Sequence, residues 1–283
     1  LYLANNENIL IVADSISKFY AIDIKNGNLL WTKSNSSSFN SEIKIYKNKF
    51  FIIDSQNILH CFSIKNGKKI WSHETEQILI KSSKKLSIVI DNEVVYFNNS
   101  IGDIRAINIK NGSLIWQLPT LNNDVYAESL SLKTSDLVLD NKLIYFSNNR
   151  NAFYAIDVNS GVQRWKRKIN SSIRPTIIDK IIITITQNGF LVIMVKFSGK
   201  IIRVTNIFES FKEKKRKKIT PVGFIVGSKN IYVTISNGRM LIVDIEYGKN
   251  KKIIKVDGNK VSKPFVYNNN LFIIKNNSII QFE

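Results

Sequence analysis

Two histidines, one cysteine and a run of seven residues carrying six bases are the places where this sequence could do chemistry. His60 and His73 flank one short segment and lack the spaced partners that a metal site requires. Cys61 stands alone, which excludes an intrachain disulfide framework and a Cys-rich zinc site but suits either a reducing or an oxidising compartment. No Walker-type glycine loop and no Gly-x-Ser-x-Gly elbow occurs. The 22 acidic residues are scattered, mostly through turns such as Asp91 to Glu93 and Asp140. The expectation is therefore no catalytic residue, no metal and no cofactor.

The run is Lys212, Glu213, Lys214, Lys215, Arg216, Lys217 and Lys218, the densest charge in the chain. It predicts an inserted loop that meets an anionic membrane surface, where each base contributes about 1 kcal/mol, or nucleic-acid phosphate. Only Phe208 and Phe211 lie near, so stacking aromatics are not interleaved with the bases and nucleic acid ranks below the membrane. The formal charge of +19 sits on a sequence rich in Lys, Asn and Ile, the bias an AT-rich coding sequence imposes. Whatever its origin, it attracts anions over ~8–10 Å at physiological salt.

The elements that position these groups are set by a repeat. Ala21, Asp23, Gly27 and Trp31 recur without a gap as Cys61, Ser63, Gly67 and Trp71, as Ala106, Asn108, Gly112 and Trp116, and as Ala155, Asp157, Gly161 and Trp165. All four tryptophans of the chain thus stand four residues after a glycine. Two weaker copies centre on Gly199 and Gly248, with Arg203 and Lys252 in the tryptophan position, and a seventh, from Leu271, ends before its glycine. Successive glycines are 40, 45, 49, 38 and 49 residues apart.

Each copy reads as short alternating strands, such as Lys49 to Asp54 and Leu59 to Ile64, then Asn-Gly or Ser-Gly, then a strand through the tryptophan. Asn-Gly predicts a two-residue type I′ hairpin turn. One more short strand precedes most copies, as at Glu42 to Tyr46, making four. Four antiparallel strands repeated in this way, with hardly any helical periodicity, predict an all-β propeller of seven or eight four-stranded blades. The glycines serve the turns, Ala or Cys a crowded strand, and the tryptophans a flat face for the next blade. Length alone, 283 residues at about 150 per domain, suggests two domains; the repeat replaces them with one, residues 1–283.

The 44% apolar content excludes a mainly disordered chain. The longest apolar stretch, near Ile181 to Val195, is broken by Gln187, Asn188 and Gly189, short of the ~20 residues of a spanning helix. The sequence opens on Leu1 rather than Met, from which a removed upstream segment is expected, bearing a signal peptide or lipid-acceptor cysteine. The first unit is expected to lack the strand before Leu1 and the last its outer strand, with upstream sequence completing the sheet.

The pattern Ala21, Asp23, Gly27, Trp31 resembles the repeat of pyrroloquinoline-quinone-type propellers, which include quinoprotein dehydrogenases, extracytoplasmic sensors and the BamB lipoproteins of outer-membrane β-barrel assembly. Glu128, Ser129, Leu130, Ser131, Leu132 and Lys133 resemble the Leu-Ser-Leu-Arg segment of BamB-type proteins. The resemblance implies that Leu130 and Leu132 are apolar anchors for a BamA-like barrel-inserting partner and that Lys133 replaces the arginine, without its bidentate fork. The acidic pair of the family's next inter-blade loop falls at Asn170 and Ser172, and neither is acidic. Ser278 to Glu283 resembles the abrupt last strand of these proteins, which carry eight blades where seven copies are counted here. What the resemblance implies is a lipid-anchored, non-catalytic scaffold at the periplasmic face of the outer membrane, a monomer within a complex. The adjacent cysteine pair of many quinoprotein dehydrogenases cannot be made from Cys61 alone.

Overall fold

The computed structural model describes residues 1–75, 84–120 and 132–282. They form seven consecutive antiparallel sheets, the blades of a β-propeller, six of four strands and one of three. Blade one comprises Tyr2–Asn5, Ile9–Ala13, Lys18–Asp23 and Leu29–Ser34, and blade two Lys44–Tyr46, Lys49–Ile53, Leu59–Ser63 and Lys69–His73. Blade three comprises Ile88–Asp91, Val94–Asn98, Ile104–Asn108 and Leu114–Leu118, and blade four Val138–Asp140, Leu143–Asn148, Ala152–Asp157 and Gln163–Arg167. Blade five is Thr176–Ile178, Ile181–Ile185, Phe190–Val195 and Ile201–Asn206, and blade six Pro221–Val226, Asn230–Ile235, Arg239–Asp244 and Asn250–Lys255. Blade seven has Phe265–Tyr267, Asn270–Lys275 and Ser278–Phe282.

Two expectations are corrected. Blade one is complete without any strand before Leu1, because Tyr2–Asn5 pairs with Ile9–Ala13 and packs Tyr2 and Ala4 against the core. This short strand is masked in the sequence by the asparagines that follow it. The glycine turns are not type I′ either. The Gly27 N–H bonds the Asp23 carbonyl and the Asp23 N–H bonds the Asn28 carbonyl, both at 2.9 Å, enclosing a four-residue loop in which only glycine has positive φ. Asp23 Oδ1 accepts the Lys25 N–H at 2.8 Å and holds the loop's first half. Consecutive positive φ values occur instead at Asn141 and Lys142, Asn268 and Asn269, and Asn276 and Asn277. The last pair replaces the glycine loop in blade seven.

The chain divides into two compact units, Leu1–Ile144 with Ile156–Arg164, and Tyr145–Ala155 with Trp165–Glu283. In the first, Phe19, Phe50 and Phe62 lead the cluster between blades one and two, and Phe51, Leu59, Val95 and Phe97 that between blades two and three. In the second, Leu191 and Ile193 of blade five meet Ile231, Val233, Leu241 and Val243 of blade six. The core therefore lies between neighbouring blades, which explains why both middle strands of a blade are buried at successive residues. Burying large β-branched and aromatic side chains on both faces contributes about 1.5–3 kcal/mol for each.

The repeat residues form the joints. Trp31 Nε1 donates to the Ile64 carbonyl, Trp71 to Ile109, Trp116 to Val158 and Trp165 to Lys196, at 2.8–3.1 Å. In every case the acceptor stands three residues before the next blade's glycine. Within the strand pairs, Trp31 lies opposite Ala21, Trp71 opposite Cys61 and Trp116 opposite Ala106. A register shift beside these pairs, a bulge of one residue, twists the fourth strand. In blade five Arg203 takes the tryptophan position opposite Ile193, and in blade six Lys252 lies opposite Ile242. A smaller side chain on one strand is matched by a larger one on its neighbour. Arg203 also preserves the joint, its guanidinium donating to the carbonyls of Ile245, at 2.6 Å, and Glu246.

Candidate docking surface

Antiparallel order places every inter-blade linker at the same end of its sheet as the turn between second and third strands. Serines pin these linkers. Ser41 Oγ accepts the Ile53 N–H and Ser262 Oγ the Ile274 N–H, each at 2.8 Å, while Ser171 Oγ donates to the Ile185 carbonyl at 2.8 Å. Beside Ser41 and Ser171 the neighbouring side chains, Asn40, Glu42, Asn170 and Ser172, are partly exposed.

Of the anchors implied by resemblance, Leu130 lies outside the described residues. Leu132 is 4% exposed, with Cδ2 3.0 Å from where a Cβ on Gly102 would sit. It is a core residue here and not an exposed anchor, which corrects the expectation. The next side chain, Lys133, is exposed. Thr134 turns back inward, its Oγ1 accepting from Asn98 Nδ2 at 2.8 Å. Asn170 and Ser172 are half-buried and are both engaged by Gln187, whose N–H bonds the Asn170 carbonyl at 2.9 Å and whose Nε2 bonds Ser172 Oγ. Ile169, Ser171 and Ile173 fill the inward positions, so the exposed side chains of this linker are Lys168 and Arg174. Sequence reasoning overlooked these two; the inward alternation Ile169, Ser171, Ile173 was the signal that would have found them.

The groups suited to chemistry are held in contacts within their blade or with the next one. His60 Nε2 lies 2.9 Å from Asp54 Oδ2, and both side chains are buried. Asp54 Oδ1 also accepts the N–H groups of Gln56 and Ile58. Burial works to raise the Asp54 carboxyl, but the bonds from His60 and these amides outweigh it and hold it below its ordinary value. Burial pushes the Cys61 thiol up to about 12, far from a reactive thiolate. Burial likewise lowers His73, with nearby Arg105 adding to the effect and the Gly112 carbonyl opposing it. Among the described residues no three His, Cys, Asp or Glu side chains come together as a metal site.

The basic run is ordered by apolar residues on either side of it. Phe208, Phe211 and Ile219 are buried, and between them Glu213–Arg216 makes a single helical turn. Lys212, Lys214, Lys215, Lys217 and Lys218 remain exposed, while Arg216 is half-buried. Glu213 pairs with Lys217 at 2.8 Å.

A family model described as outer membrane protein assembly factor BamB matches residues 3–205. The chain belongs to that family. Its fold is similar to that of BamB from Moraxella catarrhalis, with a TM-score of 0.80 and 15% identity over 97% of this chain and 81% of that one. It is also similar to Sqt1 from Saccharomyces cerevisiae, with TM-score 0.73 and 11% identity over 97% and 80% of the two chains. The quinohemoprotein alcohol dehydrogenase from Comamonas testosteroni gives TM-score 0.70 and 12% identity, over 96% of this chain and 63% of that one. At such identities the likeness is one of fold, which BamB proteins share with dehydrogenases. No curated protein matches the chain. Among the described residues no helix is long and apolar enough to cross a membrane.

Proposed function

We propose that this BamB-family chain is a non-catalytic scaffold of the outer-membrane β-barrel assembly machinery, working at the periplasmic face of the outer membrane. It holds the BamA-like barrel-inserting protein through its inter-blade linkers. The observation that carries this reading is the family match over residues 3–205. It is supported by the linker between blades four and five, which Ser171 pins in place and which presents Lys168 and Arg174 to solvent. These cations complement a partner surface rich in carboxylates, the charge opposite to that expected had residues 170 and 172 been acidic. The dehydrogenase alternative rests on shared fold alone.

The test is titration of the purified chain with the periplasmic region of the cognate barrel-inserting protein. Wild type binds, and a Leu130→Glu/Lys133→Glu variant of unchanged melting temperature weakens binding by at least about tenfold. Equal binding by both removes these residues from the interface. Absence of binding by wild type overturns the scaffold reading.

A further inference from the structure

The scaffold reading leaves unused the linker between blades five and six. From the preceding strand, Ile201–Asn206, the chain turns through Phe208, which is fully buried above Gly189 in the neighbouring turn of blade five. Phe211 and Ile219 close the linker, and Thr220 fixes its far end: its carbonyl accepts the Ser236 N–H at 2.8 Å and its own N–H donates to Ser236 Oγ at 3.0 Å. Between these anchors stand five exposed lysines against two acids, Glu209 and Glu213, the second already paired to Lys217. The following linker lies against the same blade-six turn, where the Val256 N–H bonds the Gly238 carbonyl at 2.9 Å, and it exposes Lys260 and Lys263. Both linkers therefore bring lysines to one end of blade six.

We propose that this end of the second unit is an electrostatic contact for an anionic phospholipid surface, with Lys212, Lys214, Lys215, Lys217 and Lys218 as the principal cations. The chemistry of the patch favours that occupant. Its exposed cations are lysines, compact charges with no preferred fork geometry, two of them on the single helical turn Glu213–Arg216 and the others on the residues that flank it. Such an arrangement suits a plane of diffuse charge better than a groove with fixed carboxylates. Every aromatic of the linker is buried, which leaves nothing to stack on bases and nothing to insert below the headgroups. The contact is thus peripheral, salt-sensitive and reversible.

Each base near an anionic bilayer raises partitioning by about fivefold. The experiment is co-sedimentation of the full chain with vesicles of phosphatidylethanolamine and phosphatidylglycerol at low and physiological salt. Phosphatidylcholine vesicles, inorganic phosphate and a short DNA duplex serve as the other arms. The expected result is binding to the anionic vesicles only, weakened by salt, and lost by at least about twentyfold when Lys212, Lys214, Lys215 and Lys218 are replaced by Gln. These side chains are exposed, so the variant keeps the wild-type melting temperature, which is measured alongside. Equal sedimentation of variant and wild type, or tighter binding to duplex than to vesicles, overturns the proposal. So does protection of the linker by phosphate alone. None of these results depends on the barrel-inserting protein, so they leave the scaffold reading to its own test.

Discussion

Trp165 closes on Gly199: its indole N–H donates to the Lys196 carbonyl at 3.1 Å, and its ring lies where a side chain on Gly199 would begin, 2.8 Å from an added Cβ. The same relation joins Trp31 to Gly67, Trp71 to Gly112 and Trp116 to Gly161. One glycine therefore satisfies two requirements at once, a positive φ in the loop and an empty site for the preceding blade's indole.

Gly27 separates those requirements. Its φ is +74° but an added Cβ meets nothing within 4 Å, whereas Gly161, at +70°, would place a Cβ 2.6 Å from Trp116. Gly27→Ala should cost about 1–2 kcal/mol for the left-handed backbone alone. Gly161→Ala adds an overpacking term of about 1–3 kcal/mol. Urea midpoints of the two variants measured side by side check this, and equal losses would show that the indole yields without cost.

Blade five offers a test of the joint's size matching. Ile193→Ala empties the site opposite Arg203 and should cost about 2–4 kcal/mol. Arg203→Trp alone crowds Ile193 and removes the guanidinium bonds to Ile245 and Glu246. The double variant reproduces the Ala–Trp pair of blades one and three, so the two changes should be less damaging together than their sum by about 0.5–3 kcal/mol. A double-mutant cycle on thermal or urea unfolding gives that coupling directly; additivity would mean that the two positions are matched by chance.

The propeller was legible because its joints are written in rare residues. Four tryptophans at a fixed distance from glycine expose the period even where Arg203 and Lys252 break it. The linkers were less legible, since their serines stand at no constant distance from the glycines: Ser41 follows Gly27 by 14 residues and Ser171 follows Gly161 by 10. Leu132 shows the physical reason. Read as Leu-Ser-Leu it offers two apolar anchors, but which side of a linker faces inward is decided by tertiary contacts, here the space above Gly102. The turn was misread because Asn-Gly suits both a two-residue hairpin and the last half of a four-residue loop, and Asp23, three residues before Asn26, decides between them through its side-chain bonds.

Asp157 gives the fold an acid-sensitive joint. The Arg164 guanidinium, 2.7 Å away, with the N–H groups of Ser160 and Asn159, holds its carboxyl down at about 2. An unfolded aspartate titrates near 3.9. The stabilisation is therefore complete above about pH 4 and is lost as pH falls through about 2. Arg164 is 59% exposed, so solvent screening limits the effect to at most about 1 kcal/mol. Asn108 performs the same loop bond without titrating, accepting the Lys110 N–H at 2.8 Å. Asp157→Asn should consequently keep the loop, and the gap in melting temperature between variant and wild type should close as pH is lowered from about 5 to about 2. A gap that stays constant across that range would show that the carboxylate charge contributes nothing.

Cys61 serves as a reporter of unfolding. It is fully buried opposite Trp71, and burial raises its thiol to about 12, so at neutral pH it is both unreachable and protonated in the native chain. An unfolded cysteine titrates near 8.5 and reacts readily. A maleimide should label the native chain only through opening of blade two, at a rate that rises steeply with urea and falls when the protein is stabilised. Cys61→Ala should abolish labelling and cost little stability, about 1 kcal/mol or less, because Ala21 and Ala106 occupy the same place opposite Trp31 and Trp116. Fast labelling of the native protein at neutral pH, unaffected by urea, would mean that Cys61 is open to solvent and that the interface between blades two and three is not closed over it.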